Sequence, residues 1–212
     1  MKRFKNLFLI ACLSILVIAC GGNKHYAAIP AQSTVLILGD SLTYGTGADK
    51  DQDYASMLAS DTGWNVINAG VPGNTSLNGL DRLPDLLSEH RVDLLIVELG
   101  GNDFLQHVPE EETTKNLKAI LAQSKAKSIP TVLLAIPAFS PIGAAFGSLS
   151  DHPLYEKLAQ ETDTPLIAEV FSDVLSKNGL KSDQIHPNAE GYRIVEKGLR
   201  KALVKLGFLA KV

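Results

Sequence analysis

From Thr34 onward the chain alternates short apolar runs with longer amphipathic ones, and that alternation restricts it to a small set of folds. Val35–Leu38, Val66–Asn68, Leu94–Val97, Val132–Ile136 and Leu166–Ala168 read as strands. The longest of these are continuously apolar, as parallel strands covered on both faces must be. Between them 53–60, 77–90, 111–127 and 153–162 carry helical patterning, and 189–206 closes the chain. Leu117, Ile120 and Leu121 keep the spacing of a buried stripe, with Lys115, Lys118 and Lys125 available for the wet face. Pro130 and Pro165 stand just before strands, where a missing N–H costs least. The pattern predicts right-handed βαβ units and one α/β domain, residues 34–212, with a parallel sheet of about five strands. It contains no internal repeat and no low-complexity tract.

The first nineteen residues read as an export signal. Lys2, Arg3 and Lys5 precede an apolar run, Leu7 to Ala19, that is too short to span a bilayer comfortably. Val17-Ile18-Ala19-Cys20 resembles the lipobox of bacterial lipoprotein precursors, which implies cleavage before Cys20 and acyl chains carried on that cysteine. Residues 20–33 are then expected to form a lipidated cysteine and flexible tether, and Gly21 in second position favours the outer membrane. Cys12 would leave with the signal, so the mature domain would hold no free thiol and no cysteine metal site. Losing the three basic residues moves the net charge from −3 to −6. A mildly acidic domain without a basic stripe is not expected to bind nucleic acid. A monomer is expected, held to membrane by lipid and not by charge.

The chemistry gathers where an open α/β sheet places its ligands, beyond the C-terminal ends of the strands. Gly39-Asp40-Ser41-Leu42 follows the first strand, Gly70-Val71-Pro72-Gly73-Asn74 the second, and Gly100-Gly101-Asn102-Asp103 the third. Asp183-Gln184-Ile185-His186-Pro187 precedes the last helix. A serine hydroxyl is a weak nucleophile until a base removes its proton, and an imidazole serves when another group fixes its tautomer. Asp183 and His186 could supply orienter and base from one loop. Taken singly, each residue has a plainer role open to it. Ser41 could cap a turn, Asn102 could form an Asx turn, and Gly73 could serve a positive-φ turn. Gly70 competes with Gly73 as a backbone donor to an oxyanion. Asp103 reads as structural, and Asp40 as a supporting residue.

In order and rough spacing, these four segments resemble the sequence blocks of the SGNH, or GDSL-type, hydrolases, from about Thr34 to Ile194. The resemblance implies a three-layer α/β/α, flavodoxin-like fold with no metal or organic cofactor. It implies a triad of Ser41, Asp183 and His186, and an oxyanion hole from the N–H groups of Ser41 and Gly73 with the Asn102 side chain. Val97–Asp103 and Leu80-Asp81-Arg82-Leu83-Pro84 look most like the periplasmic bacterial branch, known for acyl-thioesterase, arylesterase and lysophospholipase activities. Of the five histidines only His186 has an acid at the family's spacing. His25 lies in the tether, His90 ends a helix, His107 is a rim candidate, and His152 lies in an irregular stretch. No histidine pair stands at metal-ligand spacing.

The expectation is an envelope-anchored serine esterase acting on carboxylic esters, thioesters or lysophospholipids. The apolar, Gly- and Ala-rich segment 138–150 is expected to wall the site, with Phe139, Ile142 and Phe146 as acyl contacts. Two alternatives stay open: a carbohydrate O-acetylesterase with the same machinery, and a lipoprotein that binds glycans or lipids without turnover.

Overall fold

The computed structural model describes residues 26–138, 143 and 147–211. The expected signal (1–19), Cys20, and the acyl contacts Phe139, Ile142 and Phe146 lie outside the described residues.

Five strands form one parallel sheet in the order β2-β1-β3-β4-β5. They are β1 (Thr34–Gly39), β2 (Asn65–Gly70), β3 (Leu94–Glu98), β4 (Thr131–Leu134) and β5 (Leu166–Ile167). Eight helices surround it among the described residues: α1 (Ser41–Tyr44), α2 (Tyr54–Thr62), α3 (Ser76–Glu89), α4 (Gly101–Leu105), α5 (Glu110–Ala126), α6 (Pro153–Thr162), α7 (Val170–Leu175) and α8 (Ala189–Leu206). This is the α/β architecture expected of the alternating pattern. The central strands β1 and β3 are buried almost end to end, which is why they carry no polar alternation. The stripe Leu117, Ile120 and Leu121 faces the core, and Lys118 on the other side pairs with Glu161 at 2.6 Å.

The order reverses at β1, whose neighbours β2 and β3 follow it on opposite sides. That switch point is where an open parallel sheet leaves a crevice. Register fixes which loops meet there, because Gly39 is level with Gly70 on one side and Glu98 on the other. Helices α1, α4 and α7 have four to six residues, too few to leave a periodic trace in sequence.

Residues 26–33, expected within a flexible tether, are docked. Tyr26 N–H donates to Leu206 O at 2.8 Å and Ile29 N–H to Phe208 O at 3.0 Å. The Tyr26 ring stacks on Phe208 with centroids 4.3 Å apart, so apolar contact with the chain's own C-terminus holds this stretch. These contacts sit at the C-terminal end of α8, about 27 Å along its axis from the loop that precedes it.

Candidate active site

Ser41 is the first residue of α1. Asp40 caps that helix by accepting from Leu42 N–H at 2.9 Å, and Gly45 ends it at φ 95°. The turn folds back so tightly that a Cβ on Gly39 would stand 1.9 Å from Thr43 Oγ1. Glycine at position 39 is therefore what lets strand pass into helix here and leaves the serine at the sheet edge.

The histidine loop is built by its own backbone. Asp183 Oδ1 accepts from the N–H groups of Ile185 at 2.9 Å and His186 at 2.8 Å, and Asn188 caps α8 by accepting from Gly191 N–H at 2.9 Å. The segment after α1 holds the loop down. Gly47, at φ 97°, sits where a Cβ would approach Ser182 Oγ to 2.1 Å and Pro187 O to 2.5 Å. Tyr192 OH donates to Thr46 O at 2.9 Å.

These two local structures meet. Asp183 Oδ2 lies 2.7 Å from His186 Nδ1, and His186 Nε2 lies 2.9 Å from Ser41 Oγ. A carboxylate accepts only, so it keeps a proton on Nδ1 and leaves Nε2 to accept from the serine hydroxyl. The His186 side chain is 13% exposed and that of Asp183 53%. Burial pushes the Asp183 carboxyl up, but the bonds from the His186 ring and the two loop N–H groups outweigh it and hold it below its ordinary value.

Asn102 reaches the same place from α4. Its Nδ2 donates to Asp40 Oδ2 and to Asn74 O, each at 3.0 Å. Gly70 N–H is engaged by Asn68 Oδ1 at 3.0 Å, which removes it as a free donor. Gly73, at φ 82°, has open space where a side chain would stand. It is next to Asn74 but is not among the residues that line the cleft beside Ser41. The structure thus joins Ser41, His186 and Asp183 in one bonded chain, brings Asn102 into the same cleft, and leaves Gly73 outside the cleft lining. Asp103 is structural, accepting from Ser76 N–H at 2.7 Å, Ser76 Oγ and Thr113 Oγ1. Asp40, 2% exposed, is pushed up to about 6 by burial, against the pull of Leu42 N–H, His186 and Asn102.

Beside Ser41 opens a cleft of about 310 Å³ whose apolar walls include Leu42, Phe104, Ile136, Leu149, Leu175 and Ile185. From the segment 138–150, Ala138 and Leu149 take part. Phe104 stacks on His152 with centroids 4.0 Å apart, and His152 Nδ1 caps α6 by accepting from Leu154 N–H at 3.2 Å. Burial lowers the His152 pKa, which favours the neutral ring that this cap requires. His107 is exposed and does not line the cleft. Phe104 could have been suspected from its place directly after Asn102-Asp103. Leu175 lies on the unforeseen α7 and had no sequence signal. Among the described residues no cluster of three or more His, Cys, Asp or Glu is placed to hold a metal ion.

The GDSL-like lipase/acylhydrolase family pattern matches residues 37–194, three quarters of the chain. The chain belongs to that family. The thioesterase 1/protease 1/lysophospholipase L1 of Escherichia coli K12 is 34% identical over 179 residues, covering 83% of this chain and 86% of that protein. An arylesterase of Vibrio mimicus is 30% identical over 97% of this chain and 99% of its own length. Among solved structures, the psychrotrophic esterase EstA from Pseudoalteromonas sp., inhibited by monoethylphosphonate, superposes with a TM-score of 0.70 at 27% identity. That match covers 82% of this chain and 97% of EstA. This SGNH hydrolase is accordingly an enzyme of ester-bond hydrolysis.

Proposed function

We propose that the enzyme cleaves acyl esters through a covalent acyl-enzyme on Ser41. The observation that carries this is the continuous chain from Ser41 Oγ to His186 Nε2 and from His186 Nδ1 to Asp183 Oδ2. His186 takes the hydroxyl proton as Ser41 Oγ attacks the carbonyl carbon, and Asp183 holds the ring and steadies the imidazolium. The N–H groups of Ser41 and Gly73 and the Asn102 amide receive the oxyanion. Both Asn102 amide hydrogens face protein acceptors at rest, so its part requires release from Asp40 or Asn74. His186 then protonates the leaving oxygen or sulfur. Water, deprotonated by the same ring, releases the acid and regenerates Ser41.

The apolar cleft favours a fatty acyl chain over a sugar-borne acetate, and the names of the Escherichia coli and Vibrio relatives point to thioesters, lysophospholipids and aryl esters. A chain-length series of p-nitrophenyl esters against an acetylated polysaccharide tests this reading. Rising kcat/KM from acetate to octanoate supports it, and turnover of the polysaccharide alone overturns it. Fluorophosphonate should label the parent enzyme and not Ser41→Ala.

For location, the basic start, apolar run and Cys20 support an exported lipoprotein on the outer membrane. Tyr26 docks at the end of α8 far from the His186 loop, so the chain leading to an anchor at Cys20 would leave the domain at that end. Labelled palmitate incorporated into the parent and not into Cys20→Ser, with sedimentation in the outer-membrane fraction, is the expected outcome.

A further inference from the structure

Behind the nucleophile turn lies a second acid that the ester chemistry does not use. Glu98, the last residue of β3, is fully buried, yet it ends an otherwise apolar strand level with Gly39. Its Oε2 is 2.6 Å from Thr43 Oγ1 and 3.4 Å from Asp40 N, and Thr43 Oγ1 is 2.7 Å from Tyr54 OH. Its Oε1 has no hydrogen-bond partner among the described residues. The groups facing it are Asp40 from the turn, Tyr54 from α2, Tyr155 from α6 and Tyr192 from α8, and none is a cation. Arg82 of α3 comes nearest the turn, but its guanidinium is bonded to Gly39 O at 2.8 Å and Asn74 Oδ1 at 2.9 Å.

Two adjacent buried carboxyls without a cation cannot both be ionised cheaply, so one keeps a proton. Which one is decided by the donors each meets. Asp40 receives Leu42 N–H and Asn102 Nδ2–H and faces His186. Glu98, more deeply buried, has one unbonded oxygen, only a long contact from Asp40 N–H at 3.4 Å and the backbone N–H of Thr43, and a hydroxyl that can accept as readily as donate. We propose that Glu98 is kept as a neutral carboxylic acid and is a positioning residue for Ser41. Its Oε2–H donates to Thr43 Oγ1, whose own hydrogen goes to Tyr54 OH. The strand end is thereby tied to the first turn of α1, and Asp40 rather than Glu98 carries the negative charge of this pair beside Ser41 and His186. Burial, then the Asp40 charge, pushes the Glu98 carboxyl well up, in agreement. This role rests on Ser41 as nucleophile, whereas the protonation does not.

The test uses the full-length enzyme and Glu98→Gln, a neutral isostere. An acid whose pKa is raised on folding makes the native state hold a proton that the unfolded chain releases above the ordinary glutamate value. Its stabilising effect is complete below that value and is lost as pH rises toward the folded pKa. From pH 5.5 to 8 the unfolding constant of the parent should therefore rise, relative to Glu98→Gln, by about tenfold per pH unit. A ratio independent of pH overturns the proposal. Should Glu98→Gln not fold, infrared spectroscopy of the parent decides: a carboxylic-acid C=O band at pH 7 supports the proposal, and its absence overturns it. For the positioning role, Glu98→Gln should recover most of the kcat lost in Glu98→Ala and abolish the alkaline fall in kcat that Glu98 ionisation causes. An unchanged alkaline limb overturns that role. If stability and infrared behave as expected but Ser41→Ala still turns over, the nucleophile assignment fails and the protonation stands.

Discussion

Replacing Asp183 with Asn tests how the histidine loop works. Asp183 accepts three hydrogen bonds, two from loop N–H groups through Oδ1 and one from the His186 ring through Oδ2. Asn has one acceptor oxygen, and the two loop donors outvote the single ring donor for it. Its NH₂ then faces Nδ1, which must become an acceptor, so the ring proton moves to Nε2 and points at Ser41. In that state His186 cannot take the serine proton. Flipping the amide restores the tautomer but forfeits both loop bonds, about 1 kcal/mol each. About 2 kcal/mol leaves roughly one molecule in thirty productive. Replacing a charged acceptor opposite the imidazolium by a neutral one removes about 1 kcal/mol more. The combined loss is about 10²–10³ in kcat, less than the ~10⁴ of a buried triad, because water reaches this half-exposed carboxylate. Steady-state hydrolysis of p-nitrophenyl butyrate, with circular dichroism and thermal unfolding as controls, measures it. A native-like Asp183→Asn enzyme within fivefold of the parent would refute the tautomer argument.

Asn102→Ala should lower kcat by about 10²–10³ with little change in KM, as expected for a donor used mainly at the oxyanion; a change confined to KM would count against it. Asp40 gains a proton near pH 6, which removes an anion facing His186 and so makes the imidazole a weaker base. The acid limb of kcat/KM should therefore fall more steeply than one proton. Circular dichroism should stay native over that limb, because a carboxyl with raised pKa contributes stability that is present at low pH and lost as pH rises through about 6. A one-proton slope would show that Asp40 takes no part. Gly47→Ala places a methyl group against Ser182 and Pro187 at positive φ, so it should displace the histidine loop and lower kcat at least tenfold. Unaltered kcat would mean that the 45–53 segment does not hold the loop.

Much of this enzyme could be read locally. The strands are continuous apolar runs, α5 and α8 declare themselves by their spacing, and Ser41, Asp183, His186 and Asn102 stand in short segments flanked by turn residues. The side chain of Asp183 organises its loop through bonds two and three residues away, the kind of contact a sequence pattern can carry. Other features depended on residues far apart in the chain. That Gly70 N–H is engaged by Asn68 could not be read from spacing, and residues 26–33 of the expected tether are docked because Tyr26 meets Phe208 from the other end of the chain. The apolar wall of the cleft draws on Phe104 and Leu175 because α4 and α7 converge there, and helices that short leave no periodicity. Glu98 was visible as a charge ending an apolar strand, but its meaning required the register that sets it level with Gly39 and beside Asp40. Sequence alone determined the fold class and the chemical groups, because strand burial, helix periodicity and turn chemistry act over a few residues. Tertiary structure decided which donors are free, which acids are desolvated and what lines the cleft, because electrostatics and packing depend on distance in space and not along the chain.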